Sequence, residues 1–207
     1  MKITKTIAKK VLAVVDEGLV YGLGNNKPGE MCVEAAVCFA LGLPHSDNPP
    51  CVGVAVRSFK IRLNDSSWSS DEARAKGMRK LAVAQLGSDV IDQKEFSKRL
   101  AIKTCRRLLP HIFRIAAKKQ KSPYKEELLK HAEGCEKVST LIKEAEEAAR
   151  EAARKTRSAD ASYAAAAAAT FASATRDEIL TLSADLALEV LVELKSPGCE
   201  FLNLCDL

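Results

Sequence analysis

Glu34 is the one charged side chain in the apolar run from Met31 to Leu43. A carboxylate on such a helix needs an internal partner or a raised pKa. As structure, Glu34 is half of an internal ion pair, with Arg57 as the first candidate partner. As chemistry, it is a carboxylate positioned in a pocket. Further along, Arg57, Lys60, Arg62, Arg74 and Arg79 flank the loop from Asn64 to Ser70, which also carries Ser66, Ser67, Ser69 and the only tryptophan, Trp68. That loop leads into a helix N-terminus, where free backbone N–H groups favour anions, and arginine adds bidentate phosphate contacts. Trp68 offers a face on which a base can stack. The expected ligand set is therefore Glu34, Arg57, Lys60, Asn64, Trp68, Arg74 and Arg79. In it the basic groups neutralise phosphate, Trp68 stacks, and Glu34 orients Arg57 or accepts a donor. The plainer alternative is a Ser-rich helix cap, a solvated basic face and a packed Trp.

Cys32, Cys38, His45 and Cys51 invite a zinc reading, and their spacing argues against it. Cys32 and Cys38 stand six residues apart on one short helix, roughly 240° around its axis, so they face different ways. Structural zinc sites present ligand pairs about two to four residues apart. A Cys51 or Cys38 nucleophile activated by His45 requires the two to meet in space, which spacing does not establish. The chain has no Walker loop, no GxGxxG and no HExxH, so no metal and no cofactor is implied.

The elements that must hold these residues read as helices throughout. A first helix spans about Thr4 to Glu17, with Ile7, Val11, Leu12 and Val15 on one side. Glycines and the run Asn25-Asn26-Lys27-Pro28-Gly29 make a loop, and an apolar helix from about Met31 to Leu41 stops at Gly42. Asp47 or Asn48 is expected to cap the next helix, with a proline in its first turn. Its stripe is Val52, Val56, Phe59 and Leu63, with Gly53, Arg57, Lys60 and Asn64 on a different face. Ser69 with Glu72 reads as a capping box for a helix ending at Gly87, and Asp92 with Glu95 as a second. Pro110 should kink or split the helix that follows. Ser122-Pro123 then opens a long helix to about Arg157. An Ala-rich return helix, capped by Ser158, ends near Lys195, and two alanine seams suit close antiparallel packing.

This is an all-α pattern: a compact multi-helix body over residues 1–121 and a long Ala-rich antiparallel hairpin over 122–207. Aromatics form only 5% of the chain, which favours close-packed Ala/Leu/Val helices over a sheet sandwich. No window reaches the roughly 20 apolar residues of a membrane span, and the N-terminus reads as an amphipathic helix and not a signal peptide. Seven cysteines without tight pairing suit reduced thiols in the cytoplasm. Net charge is +5 but uneven, with seventeen positive against six negative side chains over residues 57–121 and two against eight over 158–207. The basic middle lacks interleaved aromatics and any nucleic-acid motif, so a solvated face, or docking onto the acidic C-terminal helix, is favoured over nucleic acid.

The segment CVEAAVCFALGLPHSDNPPCV, continuing through KIRLNDSSWSS to GMRKLAVAQLGS, resembles bacterial and phage-borne helical proteins with Ala-rich tails and endings similar to ELKSPGCEFLNL. The resemblance covers most of the chain, implies a phage or mobile-element setting, and brings no activity or site residue with it. Sequestration of a host signalling nucleotide, or binding of a host protein, is the analogy it suggests. Three functions stay open: a non-enzymatic helical protein binding a phosphate-bearing, nucleotide-like ligand; an interaction or scaffold module self-associating through the Ala-rich helices; and an enzyme using a Cys/His or carboxylate pocket.

Overall fold

The computed structural model describes residues 1–137 and 173–206. Among the described residues the regular structure is helical, as expected, with no strand beyond an isolated bridge between Gly24 and Met31. The chain divides into two units, one of Met1–Ser97 with Arg176–Leu207 and the other of Lys98–Thr175. The compositional boundary at residue 121 falls within the second.

In the first unit, α1 (Lys5–Asp16) starts where Thr4 accepts a hydrogen bond from the Ile7 N–H at 3.3 Å. Its apolar spacing buries Ala8, Val11, Leu12, Val14 and Val15. The helix α2 (Val33–Ala40) is the centre of this unit and packs against α1, α3 (Val54–Asn64) and α4 (Asp71–Ala84). Every one of its side chains except Phe39 is buried, the mark of a core helix with no solvent face. It closes with a left-handed Gly42, φ 68°, whose N–H reaches the Phe39 carbonyl at 3.0 Å while the Leu43 N–H reaches Cys38 at 2.9 Å. This is the paired-carbonyl stop that glycine permits.

The helix α3 (Val54–Asn64) begins later than expected. Asp47 and Asn48 do not cap it, and Pro49 to Val52 form a turn instead, with the Val52 N–H on the Pro49 carbonyl at 3.1 Å. The cap comes from far along the chain: Gln93 Oε1 accepts from the Ala55 N–H at 3.1 Å, and Ser88 Oγ from the Gly53 N–H at 3.0 Å. The face assigned to Gly53, Arg57, Lys60 and Asn64 also proves internal, since Lys60 and Asn64 are buried together with Val56 and Leu63.

Ser70, and not Ser69, caps α4 (Asp71–Ala84), accepting from the Ala73 N–H at 3.1 Å. Ser69 is held instead by Asp177 of α8 (Ser173–Glu193), whose Oδ1 accepts its N–H at 2.9 Å. The C-terminal 3-10 segment Pro197–Asp206 docks on the end of α4, where the Gly198 N–H meets the Leu86 carbonyl at 2.7 Å and Ser196 Oγ donates to the Ala84 carbonyl at 2.7 Å.

The helix α5 (Gln93–Lys103) is capped by Asp92 as expected, Oδ1 accepting from Lys94 and Glu95 at 2.9 and 3.0 Å. It leads into the second unit. There Thr104–Leu108 winds as a wider π turn before α6 (Leu109–Ala117), because Pro110 offers no N–H and its ring crowds the preceding turn. The helix α7 (Tyr124–Glu136) packs on α6, with Arg114 holding Glu136 at 2.7 and 2.9 Å. It ends at Glu136, well before Arg157. The Ala-rich seams and the reversal between them lie outside the described residues. No described helix is long and apolar enough to cross a membrane.

Candidate functional site

The structure gives Glu34 a partner, and it is Lys60 rather than Arg57. Lys60 Nζ stands 3.4 Å from Glu34 Oε1, and both side chains are fully buried. Arg57 sits one turn earlier on α3, half-buried, with Nη1 bonded to Asn48 Oδ1. Burial raises the Glu34 pKa, and the Lys60 and Arg57 charges pull it back in part. Burial lowers the Lys60 pKa, opposed by Glu34. Removing two such ions from water costs several kcal/mol each, by order of magnitude, and a single contact recovers part of it. Among the described residues no hydrogen bond completes either group, so both Glu34 oxygens and Lys60 Nζ are left without a partner there. Buried polar atoms in native proteins are nearly always paired, so three orphans in one place call for a physical reason.

Asn64 and Asp65 hold the loop from Leu19 to Met31 over the start of α2. Asn64 Oδ1 accepts the Val33 N–H at 3.3 Å, which serves as a cap for α2 from another helix. Its Nδ2 donates to the Val20 carbonyl at 2.9 Å and to Asp65 Oδ1 at 2.8 Å. Asp65 Oδ1 takes the Gly22 N–H as well, at 2.8 Å. Gly24 lets the loop close, since a Cβ there would lie 2.1 Å from the Glu30 carbonyl oxygen. Between this loop and α2 lies a cavity of about 30 Å³, lined by Gly22, Leu23, Cys32, Val33, Glu34, Asp47, Ile61, Asn64 and Asp65. That volume holds one or two waters or a single small polar group.

Two of the expected ligand residues are turned inward, and a third, Arg79, is engaged at the surface. Trp68 is 7% exposed, its Nε1–H donates to the Leu63 carbonyl at 2.9 Å, and its ring lies against Gly77. No face is left for stacking on a base. The Arg74 guanidinium is buried and bonded to the carbonyls of Asn64 at 2.8 Å and Leu19 at 2.9 Å and to Asp71. Arg79 grips Asp16 at 2.6 and 3.0 Å and the Cys205 carbonyl at 2.5 Å, and Asp16 holds its pKa up. The structure thus gathers Glu34, Lys60 and Asn64, keeps Arg57 within electrostatic reach, uses Trp68 and Arg74 as internal struts, and engages Arg79 in a surface pair with Asp16.

His45 Nε2 lies 3.0 Å from the Gly24 carbonyl oxygen, which ties it to the loop. None of the seven cysteines is in a disulfide. Burial pushes Cys38 up to about 11 and raises Cys32 and Cys51, which keeps them as thiols near neutral pH and disfavours nucleophilic chemistry. Among the described residues no group of three or more His, Cys, Asp or Glu side chains is placed to hold a metal ion.

The sequence reading missed Asp47 and Asp65 as lining residues. The available signal was Asn64-Asp65 at the end of α3, two short polar side chains that favour local backbone hydrogen bonds. Comparison of the chain with protein-family models, curated proteins and solved structures finds no match.

Proposed function

We propose that this chain is a non-enzymatic binding protein for a small polar ligand, received in the cavity between the Leu19–Met31 loop and the N-terminus of α2. The observation that carries the reading is the fully buried Glu34 at its border, whose carboxylate has no hydrogen-bond partner among the described residues and stands 3.4 Å from Lys60. Perturbed titratable groups beside a polar cavity are the usual mark of a binding site, although structural ion pairs also produce them. Drug-sized ligands occupy about 300–1,000 Å³. A cavity of about 30 Å³ therefore takes one head group, with the rest of the ligand outside. A nucleotide read through Arg57, Arg74, Arg79 and Trp68 loses support from the inward use of Arg74 and Trp68 and the engagement of Arg79 with Asp16. Seven cysteines with no disulfide among them favour a reducing, cytoplasmic setting.

Native mass spectrometry of freshly purified protein, set against its denatured mass, tests the reading. The expected result is an added small-molecule mass that the double variant Glu34→Gln, Lys60→Met loses while its circular dichroism stays unchanged. A bare chain mass, or a clean multiple of it, overturns the reading and directs attention to self-association.

A further inference from the structure

The hydrogen-bond inventory around the cavity is lopsided. The Gly22 N–H is spent on Asp65 Oδ1 at 2.8 Å, the Val33 N–H on Asn64 Oδ1 at 3.3 Å, and the Asn64 amide donates to Val20 and Asp65. What remains is acceptor capacity. Glu34 Oε2 has no partner, Asp65 receives both of its hydrogen bonds on Oδ1, and the Asp47 carboxylate stands exposed at the rim. The lining holds three carboxylates and neither lysine nor arginine. Lys60 lies outside it, against Glu34 Oε1, and Arg57 is turned to Asn48. An anion here would meet like charge, whereas a cation with several N–H donors would meet matching acceptors.

We infer that the cavity receives one primary ammonium group, with its N–H donors directed at Glu34 and Asp65 and the Asp47 charge at the rim adding to its attraction. The inference rests on the cavity being a ligand site. It adds the class of ligand and reverses the charge expected from the basic residues nearby. Volume supports it: an ammonium is about the size of a water, and about 30 Å³ accommodates it with its first carbon. A quaternary ammonium has no N–H to donate, and its methyl shell is too large.

The test is an amide chemical-shift titration of the full chain with methylammonium, tetramethylammonium and inorganic phosphate. Methylammonium is expected to shift the Gly22, Val33 and Asp65 amides saturably, and tetramethylammonium to leave them in place. Asp47→Asn alters an exposed residue, so the fold persists. It should weaken methylammonium by about three- to tenfold, as loss of one charge at a wet rim would. Equal shifts from both ammonium ions, or an unchanged affinity in Asp47→Asn, overturn the inference. Phosphate shifting Arg57 while methylammonium shifts nothing overturns the ammonium assignment and leaves the ligand reading standing. No response to any probe, together with a bare native mass, removes both. A capped lysine binding more tightly than methylammonium would assign the head group to a protein partner, and the reverse order to a free amine; either supports ammonium recognition.

Discussion

Two neighbouring regions of the first unit are built from similar residues and finish in opposite states. Around Trp68 and Arg74 the accounts close: the indole N–H, the guanidinium and the Ser69 backbone all have partners, and the ring seals against Gly77. Beside Glu34 they stay open, with two buried charges joined by one 3.4 Å contact and a polar cavity alongside. Both regions place charge in the interior. One surrounds it with carbonyls, the arrangement that stabilises a buried cation, and the other leaves valence unspent. Open valence in a well-packed protein marks the place to look for a ligand.

Substitutions sharpen that contrast. Lys60→Met strands Glu34 and should cost about 3–5 kcal/mol, seen as a large drop in the urea midpoint. The deficit should also depend on pH. Glu34 already titrates above its ordinary range, so its folded-state stability is complete below the unfolded pKa and is lost as pH rises through the folded value. Without Lys60 that folded value rises further. The gap between Lys60→Met and the parent should therefore narrow on acidification and widen towards neutral pH. A constant gap would mean that Glu34 is solvated in the variant.

Trp68→Ala should cost about 3–4 kcal/mol through the cavity left over α4. Circular dichroism and urea melts read it, and a loss under about 1 kcal/mol would show that the ring is not sealed in. Gly77→Ala is the smaller and more pointed test of the same packing. On an open helix face alanine gains about 1 kcal/mol over glycine. Here its Cβ would fall 2.4 Å from the Trp68 ring, so the change should lower stability. Asp16→Asn, at the surface grip on Arg79, should move the midpoint least, by about 0–1 kcal/mol.

What the sequence made legible was local. Thr4, Gly42 and Asp92 signal helix ends through hydrogen bonds that span a few residues, and all three ends fall where those signals lie. Features set by distant partners stayed hidden. Gln93 caps α3 across 38 positions, so Asp47 and Asn48 looked like the natural start. The choice between Arg57 and Lys60 as partner of Glu34 depends on how α3 is rotated against α2, which turn-by-turn spacing does not fix. Arg74 and Trp68 carry the residue types of a ligand site, and only the carbonyls of Leu19, Asn64 and Leu63 reveal them as struts. Asp65 was hidden for the matching reason, since its role arises when the Leu19–Met31 loop folds back to it.

On the proposed reading the Glu34–Lys60 pair serves the site and not stability, and the double variant Glu34→Gln, Lys60→Met addresses this directly. Buried ion pairs replaced by groups of similar volume are often neutral or more stable by about 1–4 kcal/mol. The expected result is a urea midpoint at or near that of the parent, with the response of the cavity amides to ligand abolished. A double variant that falls as far as Lys60→Met alone would contradict the claim and make the pair a net contributor to the fold.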